Sequence, residues 1–266
     1  MINTQSVRPS PGSGHRIDIE HVCLEFENSR TLESVQVLDD VCCHIEPGSF
    51  TCIIGPSGCG KSTLLSVVAG YLSASSGMVK IDGAQVTCPK SDRMMVFQHS
   101  TLFPWFTAAD NIRFGLGVRS RRHESRDIDG TVAAMINLVG LDGFGDRFPH
   151  ELSGGMRQRI EIARALAVNP EVLLMDEPLG ALDALTRLNM QSEILKIWEK
   201  TQKTILLVTH DIGEAIFLAD QIIVMSHRPA KIREIIKVDM SRPRTRENPQ
   251  FTALGQHIAE LLNATF

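Results

Sequence analysis

Gly55-Pro56-Ser57-Gly58-Cys59-Gly60-Lys61-Ser62 is the stretch that decides the fold. Its glycine, lysine and serine spacing is that of a phosphate-cradling P-loop, and the flanks suit the pattern. Phe50-Thr51-Cys52-Ile53-Ile54 leads in like a buried strand, and Ser62-Thr63-Leu64-Leu65-Ser66-Val67-Val68-Ala69 leads out like a helix. Glycines let successive backbone N–H groups curl around phosphate oxygens, and a helix N-terminus adds partial positive charge. Lys61 supplies a mobile full charge, and the Ser62 hydroxyl is placed to ligate Mg²⁺. The loop therefore predicts a bound nucleoside triphosphate, held by Gly55, Pro56, Ser57, Gly58, Cys59, Gly60, Lys61, Ser62 and Thr63.

The 266 residues are enough to bury a sizeable core, and 43% hydrophobic with 22% charged residues is an ordinary globular balance. A net charge of −4 gives no global attraction to nucleic acid or to an anionic membrane. Two local basic clusters, Arg119-Ser120-Arg121-Arg122-His123 and Arg242-Pro243-Arg244-Thr245-Arg246, read as solvated loops. The six cysteines lie in the first third without a CxxC pair, and the nine histidines show no ligand spacing, so zinc is not expected. Reduced thiols fit the cytosol. Met1 to Gly14 is polar, rich in Ser, Pro and Gly, and reads as a disordered lead-in over residues 1–16 rather than a signal peptide. No stretch approaches the ~18 apolar residues needed to span a bilayer, so a membrane role would require another chain.

Apolar alternation from Ile17 to Ile45 predicts strands, and Met78 to Ile81 before Asp82-Gly83 predicts one arm of a hairpin. Arg93 to Phe97 is a further short strand. From about Phe103 to Gly145 the pattern turns helical, with Ile128, Val132, Met135, Ile136 and Val139 on one face. A helix after Ser153, a strand at Val172 to Met175, a helix from Ala184, a strand at Thr204 to Thr209 and a helix from Ile212 follow. Strands at Gln221 to Met225 and Ile232 to Val238 close the pattern. A last helical face carries Phe251, Leu254, Ile258, Leu261 and Leu262. This alternation predicts an α/β core with a parallel sheet and an inserted helical subdomain.

Three further constellations stand out. Val172-Leu173-Leu174-Met175-Asp176-Glu177 is an apolar strand ending in two carboxylates, and ligands collect at the carboxyl ends of parallel strands. Asp176 suits a Mg²⁺ water and Glu177 an attacking water. Thr204 to His210 repeats the design, with an imidazole at the strand tip able to hydrogen-bond phosphate. Leu152-Ser153-Gly154-Gly155-Met156-Arg157-Gln158 is a helix start in which Ser153 caps. Two glycines in a first turn cost about 1 kcal/mol each relative to Ala, which suggests that an anion approaches that turn closely.

In these motifs the chain resembles the ATP-binding subunits of ABC transporters, from about Ile17 to Leu262. Gly55 to Ser62 matches their Walker A, Val172 to Glu177 their Walker B and Leu152 to Gln158 their signature. Gln98 matches the Q-loop, Ala181-Leu182-Asp183 the D-loop and His210 the switch histidine. Phe26 falls where that family stacks an aromatic on adenine, although a core position is equally open. Leu102-Phe103-Pro104-Trp105, Pro149-His150-Glu151-Leu152, Gly180 to Arg187 and Ile197-Trp198 are similar to the nitrate/sulfonate/taurine importer group. Met156 departs from the Gln of many relatives, and Phe26 from their Tyr; neither does proton chemistry.

The resemblance implies a P-loop NTPase (RecA-like) core with an antiparallel β subdomain and an inserted helical subdomain. It implies an ATPase domain over 17–240, its insert at about 103–168, and a tail with a helix over 241–266. Implied catalytic residues are Glu177, His210 and Lys61. Implied metal ligands are Ser62, Gln98 and Asp176. The resemblance further implies that Phe26, the P-loop, Gln98, Ser153, Gly154, Gly155 and Asp183 contact ATP. Two copies, or one copy and a homologous ATPase subunit, sandwich two ATP molecules head to tail at the cytoplasmic face of the bacterial inner membrane. The expected partners are transmembrane permease subunits and, indirectly, a solute-binding protein. Gln98 to Asn111 is the surface expected to receive a permease helix. Nucleic acid is not expected: Ser153 lies only 92 positions after Lys61, with no sustained heptads between them. A metabolite kinase would have no use for the Ser153-Gly154-Gly155 turn.

Overall fold

The chain, seen as a computed structural model, is described over residues 14–27, 34–120 and 127–263. Residues 1–13 of the expected lead-in lie outside the described residues, as do 121–123 of the first basic cluster.

The apolar alternation after Ile17 folds into β1 (Ile17–Glu27) and β2 (Ser34–Ile45), an antiparallel pair. β3 (Phe50–Ile54) runs into the P-loop and α1 (Lys61–Ala69). β4 (Ser76–Ile81) and β5 (Ala84–Gln85) form the hairpin turned by Asp82-Gly83, and β4 pairs with β1. The first sheet thus has the order β2-β1-β4-β5. β6 (Arg93–Val96) precedes α2 (Ala108–Ser120) and α3 (Ile128–Leu138), and a 3-10 turn, Pro149–Glu151, precedes α4 (Gly154–Ala167). β7 (Val172–Asp176), α5 (Ala184–Thr201), β8 (Thr204–Thr209), α6 (Ile212–Leu218), β9 (Gln221–Met225), β10 (Ile232–Lys237) and α7 (Pro249–Asn263) complete the chain.

The second sheet has the order β10-β9-β3-β8-β7-β6. Its neighbours run parallel except β10, which is antiparallel to β9. β3 and β8 are buried at every position, because both faces of a parallel sheet are covered. One core packs Phe50, Cys52 and Ile54 against residues of α4, α5 and α6; the other packs Ile53 against α1 and the first sheet. α2 and α3 lie against α4, with Val132 and Val139 buried and Ile128, Met135 and Ile136 at the edge of the same core.

The second basic cluster is not a solvated loop. Arg244 is buried and donates to the carbonyls of Ile216 (2.7 Å), Ala219 (2.6 Å) and Met240 (3.1 Å). Arg242 donates to Leu218 O and Asp220 Oδ1, each at 2.5 Å, and lies over the Trp198 ring at 4.6 Å. The last carbonyls of a helix lack intrahelical donors, and here two guanidinium groups supply them to α6.

Candidate functional site

Register brings the site together. Ile54 at the end of β3 pairs with Thr209 of β8, and Asp176 at the end of β7 pairs with Val208. The P-loop, the Asp176-Glu177 pair and His210 therefore leave the same sheet edge side by side. The Ser62 hydroxyl donates to Asp176 Oδ1 at 2.8 Å. Glu177 Oε2 accepts from Gln98 Nε2 at 3.4 Å and lies 3.0 Å from His210 Nδ1. Glu177 has a φ of 43°, left-handed backbone that a side-chain-bearing residue rarely adopts. Its N–H donates to Val208 O at 2.9 Å and its carbonyl accepts from Gly180 N–H at 3.1 Å, which hold it there.

The P-loop is built as a cradle. Gly58 and Gly60 have φ of 72° and 127°, and a Cβ on Gly60 would meet Val37 at 3.0 Å and Leu38 at 3.1 Å. β2 thus presses on the loop from behind. No side chain caps α1, and its first turn holds no acid, so its start carries the partial positive charge that suits an anion. Lys61 is held rather than mobile: it is 4% exposed, and Nζ donates to Gly55 O (2.8 Å) and Pro56 O (2.9 Å). An ammonium group this close to an uncapped helix start fits a polyphosphate. Asp176 fits a hard cation. Burial pushes its carboxyl above the usual range against the hydrogen bond from Ser62, with Glu177 pushing the same way, and a divalent ion would relieve this. Ser62 and Asp176 offer oxygen ligands only, which suits Mg²⁺ completed by phosphate and water. Phe26 is 45% exposed on β1, opposite Val35, so it is not a core residue.

The signature turn belongs to another neighbourhood. Ser153 caps α4, its Oγ accepting from Met156 N–H at 3.3 Å. A Cβ on Gly154 would meet Leu182 at 3.1 Å, and one on Gly155 would meet Thr186 at 3.0 Å. Close packing on α5 is thus a further reason for a glycine at 155, one the sequence does not reveal. Asp183 caps α5, accepting from Thr186 N–H at 3.0 Å.

Beside the site lies a groove of about 1350 Å³ between the sheet and the helical insert, lined among others by Tyr71, Phe97, Phe103, Phe114 and Arg164. Phe103, Trp105, Phe106 and Phe114 form an aromatic cluster at its rim, and Trp105 is 67% exposed. Arg164 and Glu161 of α4 bind the backbone of Thr101, tying the segment after Gln98 to the insert. Among the described residues no helix is long and apolar enough to cross a membrane.

Sequence reading assigned no individual role to Thr209, Glu214 and Arg187, which surround the His210 turn. Asp211-Ile212-Gly213-Glu214 carries a capping-box signal that could have found Glu214.

Taken together, a P-loop, a strand-end carboxylate pair and a strand-end histidine on one parallel sheet define a nucleotide-hydrolysing P-loop protein. Residues 38–180 match the family described as ABC transporter. The chain belongs to that family. It is 43% identical to the taurine import ATP-binding protein TauB of Rhizobium johnstonii over 94% of this chain and 97% of that protein. It is also 43% identical to the nitrate import ATP-binding protein NrtD of Synechocystis sp., over 86% and 89%. Among solved structures, the dimeric structure of MJ0796, a bacterial ABC transporter cassette, superimposes with a TM-score of 0.72 at 31% identity, over 85% of this chain and all of that one. A second dimeric structure of that cassette, in a post-hydrolysis state with ADP and Pi, gives 0.70 at 29%, again over 85% of this chain and all of the other.

Proposed function

We propose that the chain is the ATP-hydrolysing subunit of a bacterial importer for a small anion or solute such as nitrate, taurine or another sulfonate. One observation carries the reading: the chain has two anion-ready turns in different neighbourhoods. The P-loop sits at the sheet edge with Asp176, Glu177 and His210, whereas the contacts of Ser153-Gly154-Gly155 run to α5. A second copy, or a homologous subunit, laid head to tail would put its signature turn over this P-loop. The dimeric cassettes that the chain resembles support this arrangement.

The residues then divide the work. Lys61 and the N–H groups of the P-loop hold the β- and γ-phosphates, and Phe26 stacks on the base. Ser62 and Gln98 would hold Mg²⁺, with Asp176 behind, and the ion would supply neutralising charge for the transferring phosphoryl group. Glu177 orients the attacking water and takes its proton, and His210 tethers that carboxylate. Ser153, Gly154 and Gly155 of the other copy reach the γ-phosphate, beside Asp183. Shifting a closed dimer from 1:99 to 99:1 requires about 5.5 kcal/mol, and a few charge-assisted hydrogen bonds of roughly 1.5–3 kcal/mol each supply it. Cleavage removes the bridge and the pair opens.

The ATPase unit spans 17–240 with its insert at 103–168, followed by the tail. The groove and the Trp105 cluster take a helix of the permease at the cytoplasmic face of the inner membrane, and a solute-binding protein delivers cargo from the other side. Proteoliposomes holding the chain with its permease test the reading. ATP-driven uptake of one of these solutes is expected, with a loss of about a hundredfold in Lys61→Ala. Uptake indifferent to Lys61→Ala would contradict it.

A further inference from the structure

The turn that carries His210 is held by a relay through two side chains, neither of which touches the phosphate site. In a capping box the third residue of a helix returns its carboxylate to the N–H of the cap residue. α6 begins with such a pair, Asp211 and Glu214, and half of the box is conventional: Glu214 N–H donates to Asp211 Oδ1 at 2.9 Å. The return half is relayed. Asp211 N–H donates to Thr209 Oγ1 at 3.0 Å, and Thr209 Oγ1 donates in turn to Glu214 Oε2. The two residues flanking His210 are thereby locked to one buried carboxyl.

That carboxyl is an expensive choice. Glu214 is 3% exposed, and its Oε1 has no hydrogen-bond partner among the described residues. Leaving a buried polar atom unpaired costs about 1–3 kcal/mol, so packing alone would favour an apolar side chain. The relay also reaches outward. Asp211 lies 3.8 Å from Arg187 of α5, whose guanidinium donates to Leu179 O (3.3 Å) and Leu182 O (2.9 Å), the backbone that leads from Glu177 to Asp183.

We propose that Glu214 is a positioning residue for hydrolysis: through Thr209 and Asp211 it fixes the backbone on both sides of His210, and so the Glu177–His210 contact. The inference rests on the ATPase reading above. Nucleotide binding is expected not to depend on it, because the relay's hydrogen bonds join Thr209, Asp211 and Glu214 and no P-loop residue.

The test measures kcat, KM and the equilibrium affinity for ATP in the purified full chain assembled with its permease. Thr209→Val, which keeps the shape and removes the hydroxyl, should lower kcat about tenfold or more, as should Glu214→Ala, with ATP affinity within about twofold of wild type. Thr209→Ser and Glu214→Gln, which preserve the relay, should stay within about threefold in kcat. Melting temperatures check folding, and Thr209→Val carries the test if Glu214→Ala does not fold. Wild type active, Glu177→Gln slow and Thr209→Val unimpaired would overturn the inference alone. Loss of ATP affinity in Thr209→Val, or a Thr209→Ser variant as slow as Thr209→Val, would also overturn it. A wild-type assembly without turnover would overturn the functional reading and this inference with it.

Discussion

Glu177 combines a left-handed backbone with a carboxylate shared between Gln98 and His210. Such backbone persists where its surroundings over-determine it, and here the Val208 carbonyl and the Gly180 N–H do so. Glu177→Gln keeps that geometry and removes the proposed base. ATP binding is expected to survive while hydrolysis slows at least about tenfold, measured by phosphate release; near-normal turnover would remove Glu177 from the role. Glu214 makes a prediction of a different kind. Burial, aided by Asp211 and Glu177 and opposed by the Thr209 hydroxyl and Arg187, pushes its carboxyl from 4.5 up to about 7. The folded chain therefore keeps a proton that the unfolded chain has released between those values. Stability from this group is complete below about pH 4.5, declines as pH rises, and is lost above about 7, a change of roughly 3 kcal/mol at most. Urea unfolding across that window should show a shallower decline in Glu214→Gln than in wild type; identical slopes would refute the assignment.

At the scale of elements, α6 is fastened at both ends, by the Thr209 relay at its start and by Arg242 and Arg244 at its finish. The strand and helix periods were readable because each element buries one stripe or both faces. The arginine caps were not, since their partners are main-chain carbonyls some 25 residues away that no local pattern marks. Gly155 was read for an anion alone; that it also lies close against Thr186 comes from two helices meeting across the fold. The aromatic rim between the sheet and the insert belongs to this scale too. Trp105 packs on Phe103 and Phe106 yet remains mostly exposed, so Trp105→Ala should leave the core intact. Solute uptake is expected to fall at least about fivefold while ATP hydrolysis by the isolated chain stays within about twofold. Unchanged uptake would place the permease contact elsewhere.

For the whole molecule, the two turns proposed to hold phosphate lie on separate supports. One is backed by β2 and the parallel sheet, the other by α5. Their residues were legible in the chain, because Walker A, Walker B and the signature each carry a local pattern. That they pack on different elements, and that Lys61 rests on carbonyls of its own loop, took three dimensions to see. The central claim is that fuel joins two copies. Sedimentation of the Glu177→Gln chain in Mg·ATP tests it most directly. The account predicts a particle of twice the 29.4 kDa chain mass that returns to single chains when ATP is removed. A particle that stays at one chain mass in saturating Mg·ATP would contradict it.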